Sequence, residues 1–157
     1  MGMFNITILA IGKIKEKYWQ EAMAEYLKRL KPYARINNEE LKAEAFSDAT
    51  KEKVKEAEGE KILKYLEKFP GSKTVILDER GREMTSPALA GHLEQMENEH
   101  LIFVIGGSLG FSKKVLGAYP EKLALSKMTL LHEMTRVMLL EQIYRGIAII
   151  KNKNYHY

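Results

Sequence analysis

The sequence predicts an α/β domain, a mainly parallel sheet with helices on both faces. Three observations carry that prediction. Short apolar and β-branched runs alternate along the chain with longer segments whose apolar residues recur at helical spacing. The chain has 157 residues, the size of one domain, because separate cores arise only beyond about 250 residues. No repeat, low-complexity tract or Gly/Ser- or Pro-rich linker divides it, so residues 1–157 are read as a single domain.

The elements follow in order. Phe4 to Ile11 carries Ile6, Ile8 and Ile11 and stops at Gly12, which reads as a buried strand. Trp19, Ala22, Met23, Tyr26, Leu27 and Leu30 then fall on one helical face, and Pro32 ends the run. Ala34 to Phe46 is polar and ambiguous, an edge strand followed by a loop. Lys51 to Phe69 is a second helix stopped by Pro70-Gly71, and Thr74 to Asp78 a strand followed by a turn at Glu79-Arg80-Gly81. Ser86 followed by Pro87 signals a capped helix start. Leu101 to Ile105 is a strand closed by Gly106-Gly107, Ser112 to Ala118 a short helix, Lys122 to Leu125 a short strand, and Leu130 to about Ile150 a long last helix.

Composition narrows the function classes. Hydrophobic residues at 45% and charged residues at 29% exclude a disordered chain. No apolar run approaches the roughly 20 residues that span a bilayer, so no membrane segment is expected. Cysteine is absent, which removes disulfides, thiolate metal sites and cysteine nucleophiles and fits a reducing cytoplasm. The net charge of +4 is unevenly placed. Residues 39–60 hold eight acids against four lysines, whereas Arg145, Lys151 and Lys153 follow Glu141 with no acid after them. A basic, aromatic C-terminal region suits a polyanion partner, although a solvated tail is the plainer reading.

Three strand ends carry distinctive residues: Leu77-Asp78, the glycine turn Gly106-Gly107-Ser108-Leu109-Gly110, and Ser126 to Thr129. In a parallel sheet, ligands bind beyond the carboxyl ends, so these segments are candidates for one pocket. The glycine turn does not have the spacing of a dinucleotide fingerprint or a P-loop. It reads either as a tight turn or as a place where a ligand approaches the backbone. His132-Glu133-Met134-Thr135-Arg136 resembles a zinc signature with its last ligand replaced by arginine, so no metal site is expected. The last helix is apolar around most of its circumference, which predicts burial on two sides and an isologous homodimer. Glu141 and Arg145 stand four apart on it, either a helix-stabilising pair or part of a site at the dimer seam.

Taken together, Val104 to Gly110, Leu125-Ser-Lys-Met-Thr-Leu130, His132, Arg136, Glu141-Gln-x-Tyr-Arg145 and Tyr155-His156 resemble the ribosomal RNA large subunit methyltransferase H family of the SPOUT superfamily, over essentially the whole chain. The resemblance implies an α/β trefoil knot near the C-terminus. It also implies a cytoplasmic, homodimeric, S-adenosylmethionine-dependent enzyme methylating N3 of a pseudouridine in 23S rRNA of the assembled ribosome. It carries Leu77, Gly107, Leu125, Ser126, Lys127, Met128, Thr129 and Leu130 over as the cofactor pocket, and Arg145, Tyr155, His156 and Glu141 as the catalytic, RNA-facing rim. Leu131, where many members have Pro, and Tyr157, where a basic residue usually follows the His, depart from the pattern. The competing readings are a SPOUT enzyme acting on a tRNA base or ribose, a non-catalytic RNA-binding knot, and a flavodoxin-type nucleotide binder.

Overall fold

The computed structural model describes residues 3–157. Strand β1 (Phe4–Ile11) leads through helix α1 (Lys17–Leu30) to β2 (Ala34–Leu41). Helix α2 (Lys51–Leu66) then crosses to β3 (Lys73–Glu83), and α3 (Ser86–Gln95) returns to β4 (His100–Ile105). The short α4 (Lys113–Ala118) reaches β5 (Lys122–Ala124), and α5 (His132–Ile150) closes the chain. The five strands form one parallel sheet in the order β2-β1-β4-β3-β5.

Strand periodicity explains the layers. Ile6, Ile8 and Ala10 of β1, Val75 and Leu77 of β3, and Leu101, Phe103 and Ile105 of β4 pack on one face with Met23, Leu30, Leu89, Leu93 and α5. The alternate residues Leu9, Ile11, Ile76, Ile102 and Val104 pack on the other with Ile62, Leu66 and Val115. Helices α1, α3 and α5 therefore cover one face and α2 and α4 the other, as the alternation of periods predicts. The crossovers β1 to β2 and β3 to β4 run one way across the sheet over the first face. Those from β2 to β3 and from β4 to β5 run the other way over the second, so all four have the same hand.

Several boundaries differ from the sequence reading. The edge strand expected within Ala34 to Phe46 forms and ends at Leu41, paired with β1 from Ala34 opposite Phe4 to Leu41 opposite Ile11, and a loop follows it as expected. Its polar residues are tolerated because an edge strand has only one paired side. The expected turn at residues 79–81 lies inside β3, which continues to Glu83 and shifts register against β5. Gly81 allows this, since a Cβ there would lie 2.8–2.9 Å from backbone atoms of Lys122 and Leu123. Helix α3 is capped by Thr85, whose hydroxyl accepts from Ala88 N at 3.2 Å, and not by Ser86. The Ser86 hydroxyl instead donates to Gln142 of α5 at 2.7 Å.

The apolar girth of α5 is covered mostly from within the chain. Val137, Leu139, Leu140, Ile143, Ile147 and Ala148 are all buried against the sheet, α1 and α3, while Met138 and the preceding Leu131 are exposed. Gly146 brings α5 against α3, with Ala90 Cα at 3.5 Å from the position of a Cβ. One core does hide most of this helix, so its composition alone does not require a second copy. Among the described residues, no helix is long and apolar enough to cross a membrane.

Candidate active site

Two groups of predicted residues are each drawn together, at opposite ends of α5. The first lies at the carboxyl ends of β4, β3 and β5. Leu77 is in register with Ile105 on one side and Leu123 on the other, so Leu77, Gly107 and residues 125–130 belong to three neighbouring strand ends. The glycine turn closes through a bond from Gly110 N to Gly107 O at 3.1 Å, and Gly110 has φ 76°. Thus the left-handed requirement rests on Gly110. Gly107 answers a different need: a Cβ there would meet Ile11 Cγ2 at 3.1 Å and Glu58 Oε1 at 3.2 Å. The segment after β5 is held by Ser126 Oγ, which accepts from Met128 N at 2.9 Å, and by a short bond from Thr129 Oγ1 to Glu79. Lys127 pairs with Glu83 at 3.4 Å and Arg80 with Asp78 at 3.0 Å, and the arginine holds the Asp78 carboxyl below its ordinary range. Three acids, Asp78, Glu79 and Glu83, stand here with three bases, Arg80, Arg82 and Lys127, so the rim is an ion-pair network without net charge. A shallow apolar hollow between α3 and the sheet, lined by Met84, Leu89, His92 and Met96, contains none of these residues.

The second group gathers on the C-terminal half of α5 and the tail. Glu141 Oε1 accepts from Arg145 Nε at 3.0 Å, from its terminal nitrogen at 2.5 Å, and from the Tyr155 hydroxyl at 3.1 Å. Gln142 donates to the other Glu141 oxygen at 2.8 Å. Arg145 lies over the Tyr155 ring at 4.7 Å, and its remaining terminal nitrogen donates to His156 Nδ1 at 3.2 Å. The Glu141 carboxylate therefore ties the helix to the tail, and its hydrogen bonds hold the Arg145 pKa above the ordinary value. Burial first, then hydrogen bonding with Tyr26 and the charge of Glu141, push the Tyr155 phenol well above its usual range. It stays protonated at neutral pH.

Residues the sequence reading passed over complete this cluster. Tyr26 reads in the sequence as a position on the apolar face of α1. Arg29, four residues before Tyr33, lies 5.5 Å from the Tyr26 ring, 5.9 Å from Tyr144 and 6.0 Å from Tyr155. Tyr144 and Tyr155 meet edge-on at 4.8 Å. The C-terminal position of Arg29 in an amphipathic helix explains a solvated cation by itself, so no pattern in the sequence could separate it from any other surface arginine.

The His132 to Arg136 motif is a rivet between α5 and the loop after β1. Buried Glu133 accepts from Lys15 N and Glu16 N at 3.2 and 3.4 Å, at the start of α1. Arg136, 1% exposed, pairs with Glu40 at 2.9 Å and donates to Gly12 O at 3.3 Å. These contacts fix the start of α5 at the carboxyl end of β1. Its other end lies near Glu97, just before β4, which Lys151 approaches at 3.9 Å. Thirteen helical residues separate His132 from Arg145, about 20 Å of rise. Each group is assembled within the chain, but the two groups face opposite ends of the sheet.

Known proteins match this chain closely. The model of a family described as predicted SPOUT methyltransferase matches residues 4–156. A protein of Clostridium beijerinckii named ribosomal RNA large subunit methyltransferase H is 45% identical, over 97% of this chain and 99% of its own length. The protein of the same name from Halothermothrix orenii is 44% identical over the same shares. Among solved structures, a TrmH/SpoU tRNA modifying enzyme of A. aeolicus aligns with TM-score 0.48 and 10% identity, covering 96% of this chain and 79% of its own. The chain belongs to the SPOUT methyltransferase family, alongside the large-subunit ribosomal RNA methyltransferases H of those two organisms.

Proposed function

We propose that the protein is a homodimeric, S-adenosylmethionine-dependent enzyme that methylates N3 of a pseudouridine in 23S rRNA of the assembled ribosome, in the cytoplasm. The observation that carries this reading is the convergence of Leu77, Gly107 and residues 125–130 at three adjacent strand ends, in a chain nearly half identical to two enzymes named for rRNA methylation. The cradle suits the cofactor: the side of Gly107 where a Cβ would stand is already filled, so the turn keeps its backbone bare. The trefoil knot of this reading rests on the family, whose model matches residues 4–156.

The second copy follows from distance. A methyl donor at the strand ends lies about 20 Å along α5 from Arg145 of the same chain, too far for one reaction centre. An isologous pair crossing along α5 puts the Arg145 cluster of one protomer over the strand ends of its partner. The exposed Leu131 and Met138 lie on the face such a contact would cover.

The bound cofactor supplies an electrophilic methyl group; what the chain must do is align it with N3 and favour the deprotonated imide. Alignment of two reactants contributes about 7–11 kcal/mol. Thr129 and Glu79 close the segment after β5 over the strand ends. Arg145, oriented by Glu141, supplies positive charge that favours the imide anion. A guanidinium only donates, so His156 Nδ1 accepts from it and the proton of the neutral imidazole resides on Nε2. His156 is thereby suited to donate to a base carbonyl and not to remove the N3 proton. Tyr155, packed between Arg145 and Tyr144, anchors the tail.

The reading is tested by incubating the protein and labelled S-adenosylmethionine with ribosomes from a strain lacking the modification. Label in 23S rRNA, mapped by mass to a pseudouridine base, is expected; label in tRNA alone, or none, contradicts it.

A further inference from the structure

We infer that Arg29 of α1 is a substrate-contacting residue, the guanidinium that grips a phosphate of the RNA beside the target base; this rests on the reading above. Two guanidiniums flank the Tyr155 ring, Arg145 at 4.7 Å and Arg29 at 6.0 Å, but their charges are not equally available. Arg145 is spent on its neighbours. Its Nε and one terminal nitrogen bond Glu141, the other terminal nitrogen bonds His156, and the ion pair is mostly buried, at 25% and 18% side-chain exposure. Each of its three nitrogens already has a partner inside the cluster, which orients it for the base and not for a phosphate.

Arg29 differs in each respect. Its one ion pair among the described residues, with Glu25 at 3.5 Å, is long and lies in solvent at 40% and 49% exposure, the kind of pair that contributes little and exchanges readily. Its guanidinium is held against three tyrosine rings. Cation–π attraction at 5.5–6.0 Å keeps the guanidinium beside these rings without consuming its N–H donors, which remain able to grip a phosphate. Lys28 shares the last turn of α1, so the local field is positive. Tyr26 and Tyr144 thus hold Arg29 at the edge of the cluster that presents Arg145 and His156 to the base. The partner chemistry that fits is a flipped or single-stranded nucleotide with its flanking phosphodiester.

The test measures equilibrium binding of the full-length protein to unmodified ribosomes across a potassium chloride series, for wild type, Arg29→Ala and Arg29→Lys, with S-adenosylmethionine affinity and circular dichroism recorded for each. Loss of one phosphate contact makes the slope of log affinity against log salt shallower by about 0.7–0.9. That change is expected for Arg29→Ala, with weaker ribosome binding and unchanged cofactor affinity, while Arg29→Lys keeps the wild-type slope because it keeps the charge. An Arg29→Ala protein with the wild-type slope and affinity overturns the inference. So does equal loss of methyl transfer in both variants with the slope unchanged, which makes Arg29 a support for Tyr155 only. Wild-type protein that does not bind ribosomes in a salt-dependent way overturns the functional reading itself, and this inference with it.

Discussion

In the function proposed above, Arg145 supplies the positive charge at the base, and Glu141 holds the side chain ready for that role. Glu141 fixes two of its nitrogens, so the guanidinium is presented in one orientation before substrate arrives. Replacing it removes a preorganised positive group, an effect of about 100- to 1,000-fold on turnover in comparable sites. Arg145→Ala is expected to lower methyl transfer in that range, measured in single-turnover assays, with cofactor affinity by calorimetry unchanged. Glu58 gives a prediction in pH. It is buried on α2, with Oε2 accepting from Glu44 N at 3.3 Å, and burial raises its pKa above 4.5 although the Glu44 amide and Lys61 oppose the shift. The folded state then holds a proton that the unfolded chain has released, so folding stability contributed by this group declines as pH rises above 4.5. Glu58→Gln does not titrate. Its melting temperature relative to wild type is expected to increase from pH 4 to pH 7, and a constant difference would show that burial does not penalise the carboxylate. At this scale Glu141, Arg145, Tyr155 and His156 were legible because their spacing and order carry the family resemblance. Arg29 and Glu58 were not, because one looks like any solvated helix cation and the other is buried only by the fold.

Among the elements, those set by strong periodicity were legible and those set by tertiary pairing were not. β1, β4 and the helices follow from runs of apolar residues at spacings of two or near four. β2 was legible as a polar edge strand without a sharp end, whereas the second half of β3 hid behind a sequence that looks like a turn, because only pairing with β5 makes residues 82–83 extended. Gly81 is where that pairing is most exposed to substitution. A methyl group there meets backbone at 2.8–2.9 Å, and backbone cannot move aside as a side-chain tip can. Gly81→Ala is expected to cost about 1–3 kcal/mol by chemical denaturation, whereas Gly117→Ala, with open space around it, should cost far less. At the next helix, Thr85→Ala removes a cap bond and is expected to cost about 1 kcal/mol. A loss no larger than that of an exposed Ser or Thr elsewhere would show that the cap contributes nothing.

For the whole molecule, the fold class was legible because alternation of periods leaves few arrangements, and one parallel sheet covered on both faces is what the chain forms. The dimer proposed above rests on a different observation from the one the sequence offers. An all-round apolar helix can be buried inside one chain, and α5 largely is. The proposed partner follows instead from the length of α5, which separates the strand-end segments from the Arg145 cluster. That central claim has a direct test in subunit mixing. Gly107→Val, which damages only the cradle, and Arg145→Ala, which damages only the cluster, are each expected to be inactive alone. If each reaction centre takes its cradle from one protomer and its cluster from the other, random exchange gives mixed dimers with one intact centre, and methyl transfer returns to roughly a quarter of wild type. Mixed dimers that form and remain as inactive as either parent would contradict a shared site.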